Sequence, residues 1–189
     1  MSLESLVDNS RTDKNTTHSY LPLYDGLLKS KKETAKNVLE VGIYSGGSIK
    51  LWHDYFPNAV VHAVDIQSIH GVYEELKYKK RIVLHTSTDA YNIDSFTRNF
   101  INTDIKFDFM LDDGPHTLES QKQFIRLYSR LMTEDGILII EDVQSWDWID
   151  ALRAEVPVDL RQYIKVYDLR KNKGRYDDIV FTIDKSGCN

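Results

Sequence analysis

The sequence is poor in the residues that build disulfide frameworks and membrane spans. Its 189 residues contain one cysteine, Cys188, which excludes an intrachain disulfide and a cysteine-ligated zinc cluster. No apolar run approaches the roughly 20 residues that a transmembrane helix needs. Residues 1–10 also lack the apolar stretch of a signal peptide. We therefore expect a reduced, cytoplasmic domain without a membrane partner.

An excess of positive charge is missing as well. The 24 lysines and arginines are outnumbered by 29 aspartates and glutamates, so the net charge is -5. Nucleic-acid-binding surfaces are normally basic, and this balance argues against a nucleic-acid partner. With only four prolines and nine glycines, the chain has no linker rich in these residues. The length fits a single domain.

Apolar, β-branched runs alternate with segments that have the apolar spacing of helices. Five runs read as strands, at residues 37–42, 59–66, 81–86, 107–113 and 136–143. The segments between them, such as residues 71–80, read as helices. Strands that are apolar on both faces and separated by helices indicate a parallel sheet covered by helices on each side. Residues 161–169 and 177–183 are two further strand candidates, close enough in sequence to pair as an antiparallel hairpin.

The first strand runs into a glycine-rich turn, "LEVGIYSGGSIKLW". In open α/β sheets, ligands bind beyond the carboxyl ends of the strands. The spacing differs from the G-x-G-x-x-G of dinucleotide sites, and the Glu40 carboxylate would repel a pyrophosphate but attract a cationic amino acid group. Asp65, 23 positions after Gly42, ends the second strand, where an acid typically binds a ribose diol. The turn predicts a nucleoside site and disfavours an NAD-dependent dehydrogenase, although Asp65 could also cap a helix.

A second cluster follows the fourth and fifth strands, in "FMLDDGPHTLES" and "IIEDVQ". The ends of these strands are neighbours in such a sheet, so up to four carboxylates converge beside one histidine. Like charges at that distance repel unless a cation lies among them. Oxygen ligands without cysteine favour a hard divalent ion, with magnesium ahead of calcium and manganese.

Together these features resemble the class I S-adenosylmethionine-dependent methyltransferases. The resemblance implies an α/β fold, a Rossmann-like doubly wound sheet of seven strands that is mostly parallel with an antiparallel terminal strand. It implies S-adenosyl-L-methionine as cofactor, with Asp65 on the ribose and Gln67 close to the ribose or adenine. The full set of candidate cofactor residues is Glu40, Gly42, Gly46, Ser48, Asp65, Gln67, Ser87, Thr88, Asp112, His18 and Tyr20.

The pairing of "DDGPH" with "ED" closely resembles the metal-dependent O-methyltransferases that act on macrolide sugars. By position, the resemblance implies that Asp113, Glu141 and Asp142 bind Mg²⁺ and that His116 is the general base. "RTDKNTTHSYLPLYDGLL" and "GRYDDIVF" also resemble segments of this family, the first folding over the cofactor side. Residues 1–189 would then be one methyltransferase domain, with a helical, cofactor-covering segment at 1–36 and a Rossmann-like core at 37–189.

Several alternatives remain open on sequence alone. Asp142 could cap the following helix, Asp112 could brace its loop, His116 could be an ordinary loop histidine, and Ser87 and Thr88 could begin a helix. The acceptor would be the hydroxyl of a sugar or other vicinal diol, in a small molecule or a glycan. A catechol-type methyltransferase and an inactive nucleoside-binding module are the competing functions. The chain could form a homo-oligomer or be part of a longer multidomain protein.

Overall fold

A seven-stranded sheet with helices on both faces forms the fold, and the computed structural model describes residues 1–187 of it. Cys188 lies outside these residues. The strands are β1 (Asn37–Val41), β2 (Val60–Val64), β3 (Ile82–His85), β4 (Phe107–Asp112), β5 (Met132–Ile140), β6 (Ile164–Asp168) and β7 (Ile179–Asp184). Their order across the sheet is β3-β2-β1-β4-β5-β7-β6.

The last strand in the chain reverses direction. β1 to β5 pair in parallel, whereas β7 is antiparallel to both of its neighbours, β5 and β6. The order changes direction between β1 and β4, which places the ends of these two strands at the switch point of the sheet. The predicted seven-stranded Rossmann-like sheet with an antiparallel terminal strand is confirmed.

The helices are short. They are α1 (Leu3–Leu6), α2 (Leu21–Leu28), α3 (Gly47–Tyr55), α4 (Ile93–Asn99), α5 (Leu118–Tyr128), α6 (Ile149–Glu155) and α7 (Arg170–Lys173). Side chains that alternate along the central strands enter two separate cores. Val38 and Phe109 pack on the face that carries α1 to α3, whereas Leu39 and Met110 pack on the face that carries α4 to α6. This alternation follows from the two-residue period of a strand.

The helix predicted at residues 71–80 is wrong. Two short 3₁₀ turns, Ile69–Gly71 and Glu74–Leu76, occupy this region. Only Val72 and Leu76 are buried there, and a short helix needs a larger packed apolar face to be stable. The backbone N–H of Tyr73 instead donates to the carbonyl of Ser45, which ties the segment to the glycine-rich turn.

Within residues 1–187, none of the helices combines the length and the apolar character that crossing a bilayer requires.

Candidate active site

An open cavity of about 1100 Å³ lies beyond the carboxyl ends of β1, β2 and β4. It is large enough for a nucleoside-bearing cofactor. Residues of both predicted sites line it: Gly42, Ser48, Asp65, Gln67 and Thr88 from the cofactor set, with Asp113 and His116 from the acidic cluster. The two motifs read from the sequence therefore share one cavity.

Glycine at position 42 allows the ends of β1 and β4 to approach each other. Gly42 has a φ of +99°, and a Cβ built on it would overlap the backbone carbonyl of Asp113. The Asp113 N–H in turn donates to the carbonyl of Val41 at 2.9 Å. Gly46, with a φ of +93°, precedes α3 in the left-handed region that glycine adopts at little cost. Gly42 lines the cavity, whereas Gly46 does not and packs against Leu76.

Asp65 braces the glycine-rich turn and also faces the cavity. Its Oδ2 accepts the backbone N–H groups of Ile43 at 2.7 Å and Tyr44 at 3.1 Å. Its Oδ1 accepts the N–H of Gln67 at 2.9 Å. Although partial burial opposes it, these backbone N–H groups lower the pKa of Asp65. The carboxylate stays charged at neutral pH, and the alternative helix-capping role is not the one observed.

Glu40 lies beneath the turn. It is fully buried and accepts hydrogen bonds from the hydroxyl of Ser48 at 2.8 Å and from the indole N–H of Trp52 at 2.5 Å. Burial raises its pKa to about 7, against the nearby charge of Lys14. Side chains of α3 therefore hold Glu40 in place, and the hydroxyl of Ser48 binds this carboxylate.

Ser87 and Thr88 lie in the loop after β3. The Ser87 N–H donates to the carbonyl of Gln67, and the Thr88 N–H donates to the carbonyl of Asp65. The next helix, α4, is capped by Asn92, so neither residue begins it. The loop closes the cavity beside the ends of β2 and β3.

Asp112 is buried at the end of β4 and does not line the cavity, although its partner Tyr91 does. Tyr91 donates its hydroxyl to Asp112 Oδ1 at 2.5 Å. Burial, together with the neighbouring charge of Asp113, raises the pKa of Asp112 to about 7. Asp112 therefore braces the loop after β4, as one of the alternatives anticipated.

Glu141 has both carboxylate oxygens engaged. Oε1 forms a close ion pair with the ammonium of Lys14, and Oε2 accepts the hydroxyl hydrogen of Tyr24 at 2.6 Å. Burial and the charge of Asp113 raise the pKa of Glu141 well above its usual range. The same lysine lies 2.6 Å from Asp113 Oδ2.

Asp142 and His116 form the open side of the cluster with Asp113. His116 Nε2 lies 3.7 Å from Asp113 Oδ1 and 3.6 Å from Asp142 Oδ2. Neither of these oxygens has a hydrogen-bond partner among residues 1–187. His116 and Asp142 both have a φ of +53°, a strained backbone that recurs at functional sites. Ser145 caps the turn that follows, so Asp142 is not the helix cap.

His18 and Tyr20 support Asp142 from behind. The Tyr20 hydroxyl donates to Asp142 Oδ1 at 2.5 Å, and His18 Nδ1 lies 2.6 Å from Asp178 Oδ1. Both side chains are buried, and neither lines the cavity. The structure thus puts these two predicted cofactor residues behind the acidic cluster.

Lys14, Tyr24 and Tyr91 were not identified from the sequence. All three bind carboxylates of the two predicted motifs. Lys14 and Tyr24 belong to the N-terminal stretch "RTDKNTTHSYLPLYDGLL", which resembles a segment of the family. That resemblance could have indicated both residues. Tyr91 had none, because an isolated tyrosine in a loop has no local pattern.

The donor atoms on the open side fit a divalent cation. One atom each from Asp113, His116 and Asp142 lie within 4.8 Å of one another. The two carboxylate oxygens suit magnesium, manganese or a similar hard ion, whereas an imidazole nitrogen suits softer ions, so His116 is the candidate base beside the cation. Within residues 1–187, Glu141 does not belong to this group, because its oxygens face Lys14 and Tyr24.

Sequence comparison finds sugar O-methyltransferases. Over 133 residues the chain is 29% identical to "8-demethyl-8-(2-methoxy-alpha-L-rhamnosyl)-tetracenomycin-C 3'-O-methyltransferase" of Streptomyces olivaceus, covering 67% of this chain and 32% of that protein. Over 139 residues it is 27% identical to "Mycinamicin VI 2''-O-methyltransferase" of Micromonospora griseorubida, covering 69% and 33%. The chain thus matches about a third of the length of these curated relatives. No family model matches it.

Structure comparison finds crystal structures of a methyltransferase with bound Mg and SAH. The MycE methyltransferase of mycinamycin biosynthesis, in complex with Mg, SAH and mycinamycin VI, superimposes with a TM-score of 0.72 and 19% identity, over 100% of this chain and 56% of that chain. A second crystal structure of that enzyme, with Mg and SAH, gives a TM-score of 0.71 and 21% identity over 97% and 54%. The chain therefore has the fold of the S-adenosylmethionine-dependent methyltransferases, and its curated homologues are sugar O-methyltransferases, as the motifs had indicated.

Proposed function

We propose that the chain is an S-adenosylmethionine-dependent, divalent-metal-dependent O-methyltransferase that acts on a hydroxyl of a sugar or other vicinal diol. The observation that carries this proposal is the open position between Asp113, Asp142 and His116 at the wall of the nucleoside-sized cavity. A donor pocket, a cation position and a candidate base occur together there. Metal-assisted methyl transfer to a hydroxyl uses all three.

The donor occupies the cavity beside the glycine-rich turn. The charged carboxylate of Asp65 accepts the ribose hydroxyls, since its Oδ1 carries only one hydrogen bond from the protein. Gln67 and Thr88 line the same wall. Glu40 lies buried beneath the turn, and its contact with the methionine part of the donor stays a prediction.

Asp113 and Asp142 hold the cation. Their free oxygens, Asp113 Oδ1 and Asp142 Oδ2, face the same side as His116 Nε2. Bound there, a divalent cation lowers the pKa of an acceptor hydroxyl, which makes its proton easier to remove. Glu141, the third ligand that the resemblance implies, stays a prediction.

His116 accepts the proton of the acceptor hydroxyl. The hydroxyl oxygen then forms a bond with the methyl carbon of the donor as the bond from sulfur to that carbon breaks. The products are the methyl ether, S-adenosylhomocysteine and one proton on the imidazole. The side chain of His116 is about a third exposed, which leaves it accessible to an acceptor.

The acceptor class follows from the relatives and from the cation. Both curated relatives carry names of enzymes that methylate sugar units, and two neighbouring hydroxyls suit a cation with open coordination positions. A catechol would present a similar pair of oxygens. The resemblance favours the sugar, because catechol-type enzymes use an asparagine where this chain has Asp142.

We infer a cytoplasmic enzyme of one domain, with residues 1–36 covering the cofactor side of the core at 37–189. Its partner is a small-molecule or glycan hydroxyl, and neither nucleic acid nor membrane takes part. The chain matches about a third of the length of its curated relatives, and we infer that it forms a homo-oligomer or is part of a longer multidomain protein.

A transfer assay with labelled S-adenosylmethionine tests the proposal. The purified chain is incubated with a methyl rhamnoside or with a catechol, in EDTA or in excess Mg²⁺. We expect labelled methyl ether only with Mg²⁺ and with the rhamnoside. Transfer at full rate in EDTA would refute the dependence on a metal ion. Preference for the catechol would favour a catechol-type methyltransferase. Donor binding without transfer to either acceptor would favour the inactive module.

A further inference from the structure

Trp146 is the exposed tryptophan of the chain. Trp52 is buried in one hydrophobic core and Trp148 packs against the other, whereas Trp146 is 47% exposed. It begins the 3₁₀ turn Trp146–Trp148, in the segment that follows β5. An indole offers a large apolar face, and such a face left in water at the edge of a site is suited to binding a ligand.

The topology of the sheet places Trp146 on the same rim as His116. β7 is antiparallel to β5 and begins where β5 ends, and the Val143 N–H donates to the carbonyl of Ile179 at 3.1 Å. β6 ends at this rim too, because Asp168 pairs with Ile179. The loops after β4, β5 and β6 and the start of β7 therefore lie along one edge of the sheet.

Tyr176 is a second exposed aromatic residue at this rim. It lies in the connection between β6 and β7 and is 63% exposed. Its hydroxyl donates to Gln144 Oε1 at 2.7 Å, and Gln144 Nε2 donates to the carbonyl of Asp142 at 3.2 Å. These hydrogen bonds connect the exposed phenol to the segment that carries Trp146.

The guanidinium of Arg170 holds Trp146 in place. It lies 5.7 Å from the centroid of the indole ring, and a cation over the face of a tryptophan is attracted by the ring. Asp168 binds the same guanidinium through both carboxylate oxygens, at 2.8 and 2.7 Å. The indole is thus ordered before a ligand arrives, which lowers the entropic cost of binding.

The two exposed rings lie on the side of His116 that the donor leaves open. The donor cavity lies beyond the ends of β1, β2 and β4, and its lining residues within 1–187 do not include Trp146 or Tyr176. Across the sheet, the order continues from β4 to β5 and β7. A molecule that reaches His116 from the side of β5 and β7 therefore passes over these rings without displacing the donor.

We propose that Trp146 and Tyr176, together named the aromatic platform, bind the sugar ring of the acceptor. This inference rests on the proposed function, since it names where the acceptor of that reaction binds. The ring C–H groups of a pyranose form an apolar face that packs on an aromatic ring, whose face is electron-rich. The hydroxyls project from the edge of the sugar and stay free for deprotonation at His116. Trp146 is thus a specificity-determining residue for a sugar acceptor.

Acceptor kinetics of the full chain test this proposal, with saturating S-adenosylmethionine and Mg²⁺ and a varied concentration of a methyl rhamnoside. We expect Trp146→Ala to raise KM for the sugar about 10-fold, the scale of truncating an aromatic anchor. The kcat and the affinity for S-adenosylhomocysteine should stay near native. Trp146→Phe should recover most of the loss, because it keeps an aromatic face. A purely structural role would instead lower kcat and donor affinity together.

Tyr176→Ala should raise KM in the same direction, and Tyr78→Ala is its matched control. Tyr78 is also an exposed tyrosine, at 80%, but it lies in the segment that leads into the opposite end of β3. Its replacement should leave KM native. Equal increases in KM for Tyr176→Ala and Tyr78→Ala would overturn the assignment of Tyr176 to the platform.

Saturation-transfer NMR measures the contact without turnover, on the chain loaded with S-adenosylhomocysteine and Mg²⁺. Irradiation of aromatic protons should saturate the ring C–H protons of the methyl rhamnoside, and Trp146→Ala should lose most of this signal. Unchanged KM and unchanged saturation transfer in folded Trp146→Ala would overturn the proposal. Absence of transfer to the sugar by the native chain would instead overturn the acceptor of the proposed function, and this inference with it.

Discussion

Asp65 divides its two carboxylate oxygens between the protein and the cavity. Oδ2 accepts two backbone N–H groups of the glycine-rich turn, whereas Oδ1 accepts a single N–H, that of Gln67. A carboxylate oxygen can accept more than one hydrogen bond. The residue can therefore hold the turn and a ribose diol at the same time.

Replacing Asp65 should weaken donor binding in a way that depends on the ribose. We expect Asp65→Asn to reduce the affinity for S-adenosylhomocysteine by about 1–3 kcal/mol, the range for a hydrogen bond to a charged group. Calorimetry with the natural ligand and with its 2'-deoxy analogue measures the effect. In the native chain the analogue should bind more weakly, and in Asp65→Asn the difference should shrink.

The control for this experiment is Asp94→Asn, an exposed aspartate on α4. It should leave both affinities unchanged. If Asp65→Asn lowered both affinities equally, the carboxylate would stabilise the glycine-rich turn without binding the ribose.

His116 is the residue on which the proposed chemistry depends. We expect His116→Ala to reduce turnover by roughly 10²–10⁴, the usual contribution of a general base. His116→Asn should not restore the rate, because an amide cannot take the proton. Turnover is measured with saturating donor and Mg²⁺, and donor affinity by calorimetry should change little.

His70, which is exposed in the loop after β2, provides the matched control. His70→Ala should retain native turnover. Near-native turnover in His116→Ala would show that another group accepts the proton.

At the scale of elements, the edge of the sheet carries a pair of histidines. His62 on β2 and His85 on β3 are stacked with ring centroids 5.8 Å apart, and the ring of Phe107 is nearly perpendicular to that of His62, with centroids 5.4 Å apart. Burial, with a smaller effect of His85, lowers the pKa of His62 to about 4. Burial lowers the pKa of His85 as well. The folded chain therefore binds these protons less readily than the unfolded chain.

The free energy of unfolding should respond to pH accordingly. Between an ordinary histidine pKa of about 6.5 and the value of about 4, the unfolded chain binds a proton that folded His62 does not, so stability is lost as the pH falls. The loss attributable to His62 is at most about 3 kcal/mol. Urea unfolding of the native chain and of His62→Val between pH 7 and 4 measures it.

The variant separates His62 from other titrating groups. Asp112 and Glu40 have raised pKa values and act with the opposite sign, so the difference between the two chains is the informative quantity. As the pH falls, the free energy of unfolding of His62→Val should rise relative to that of the native chain. Parallel curves for the two chains would contradict the burial of a neutral imidazole.

For the molecule as a whole, the N-terminal segment is part of one hydrophobic core. Leu3, Tyr24 and Leu28 are fully buried in the same cluster as Trp52 of α3 and Phe109 of β4. Lys14 and His18 add polar contacts to the ends of β4 and β7. Residues 1–36 should therefore unfold together with the sheet.

Truncation of a buried leucine in α2 tests this cooperativity. We expect Leu28→Ala to lower the free energy of unfolding by about 2–5 kcal/mol, the range for a fully buried leucine. Leu27→Ala, on the same helix but only partly buried, should cost less. Both variants should unfold in one transition followed by circular dichroism. A separate early transition, with the main one unchanged, would show that the segment is an independent unit.

Local patterns in the sequence determined the sheet, the strand ends and the two chemical motifs. Runs of β-branched residues, helical spacing and glycines at turns are short-range properties. The seven strands, and the acids at the ends of β1, β2, β4 and β5, could therefore be predicted from the sequence. Where the local signal was weak, as at residues 71–80, the prediction was wrong. Helical spacing there was not supported by enough buried area, and a contact with the glycine-rich turn decided the conformation.

Only the tertiary structure decided how the acids are used. Lys14 meets Asp113 and Glu141 across 99 and 127 positions of the chain, and Tyr20 meets Asp142 across 122. No local pattern encodes such a pairing, because it depends on which loops the fold brings to the switch point of the sheet. The sequence thus identified the carboxylates, but which of their oxygens face the buried ammonium of Lys14 and which face His116 follows from long-range packing. In a buried site each charge must be compensated by another, and the fold determines which one is within reach.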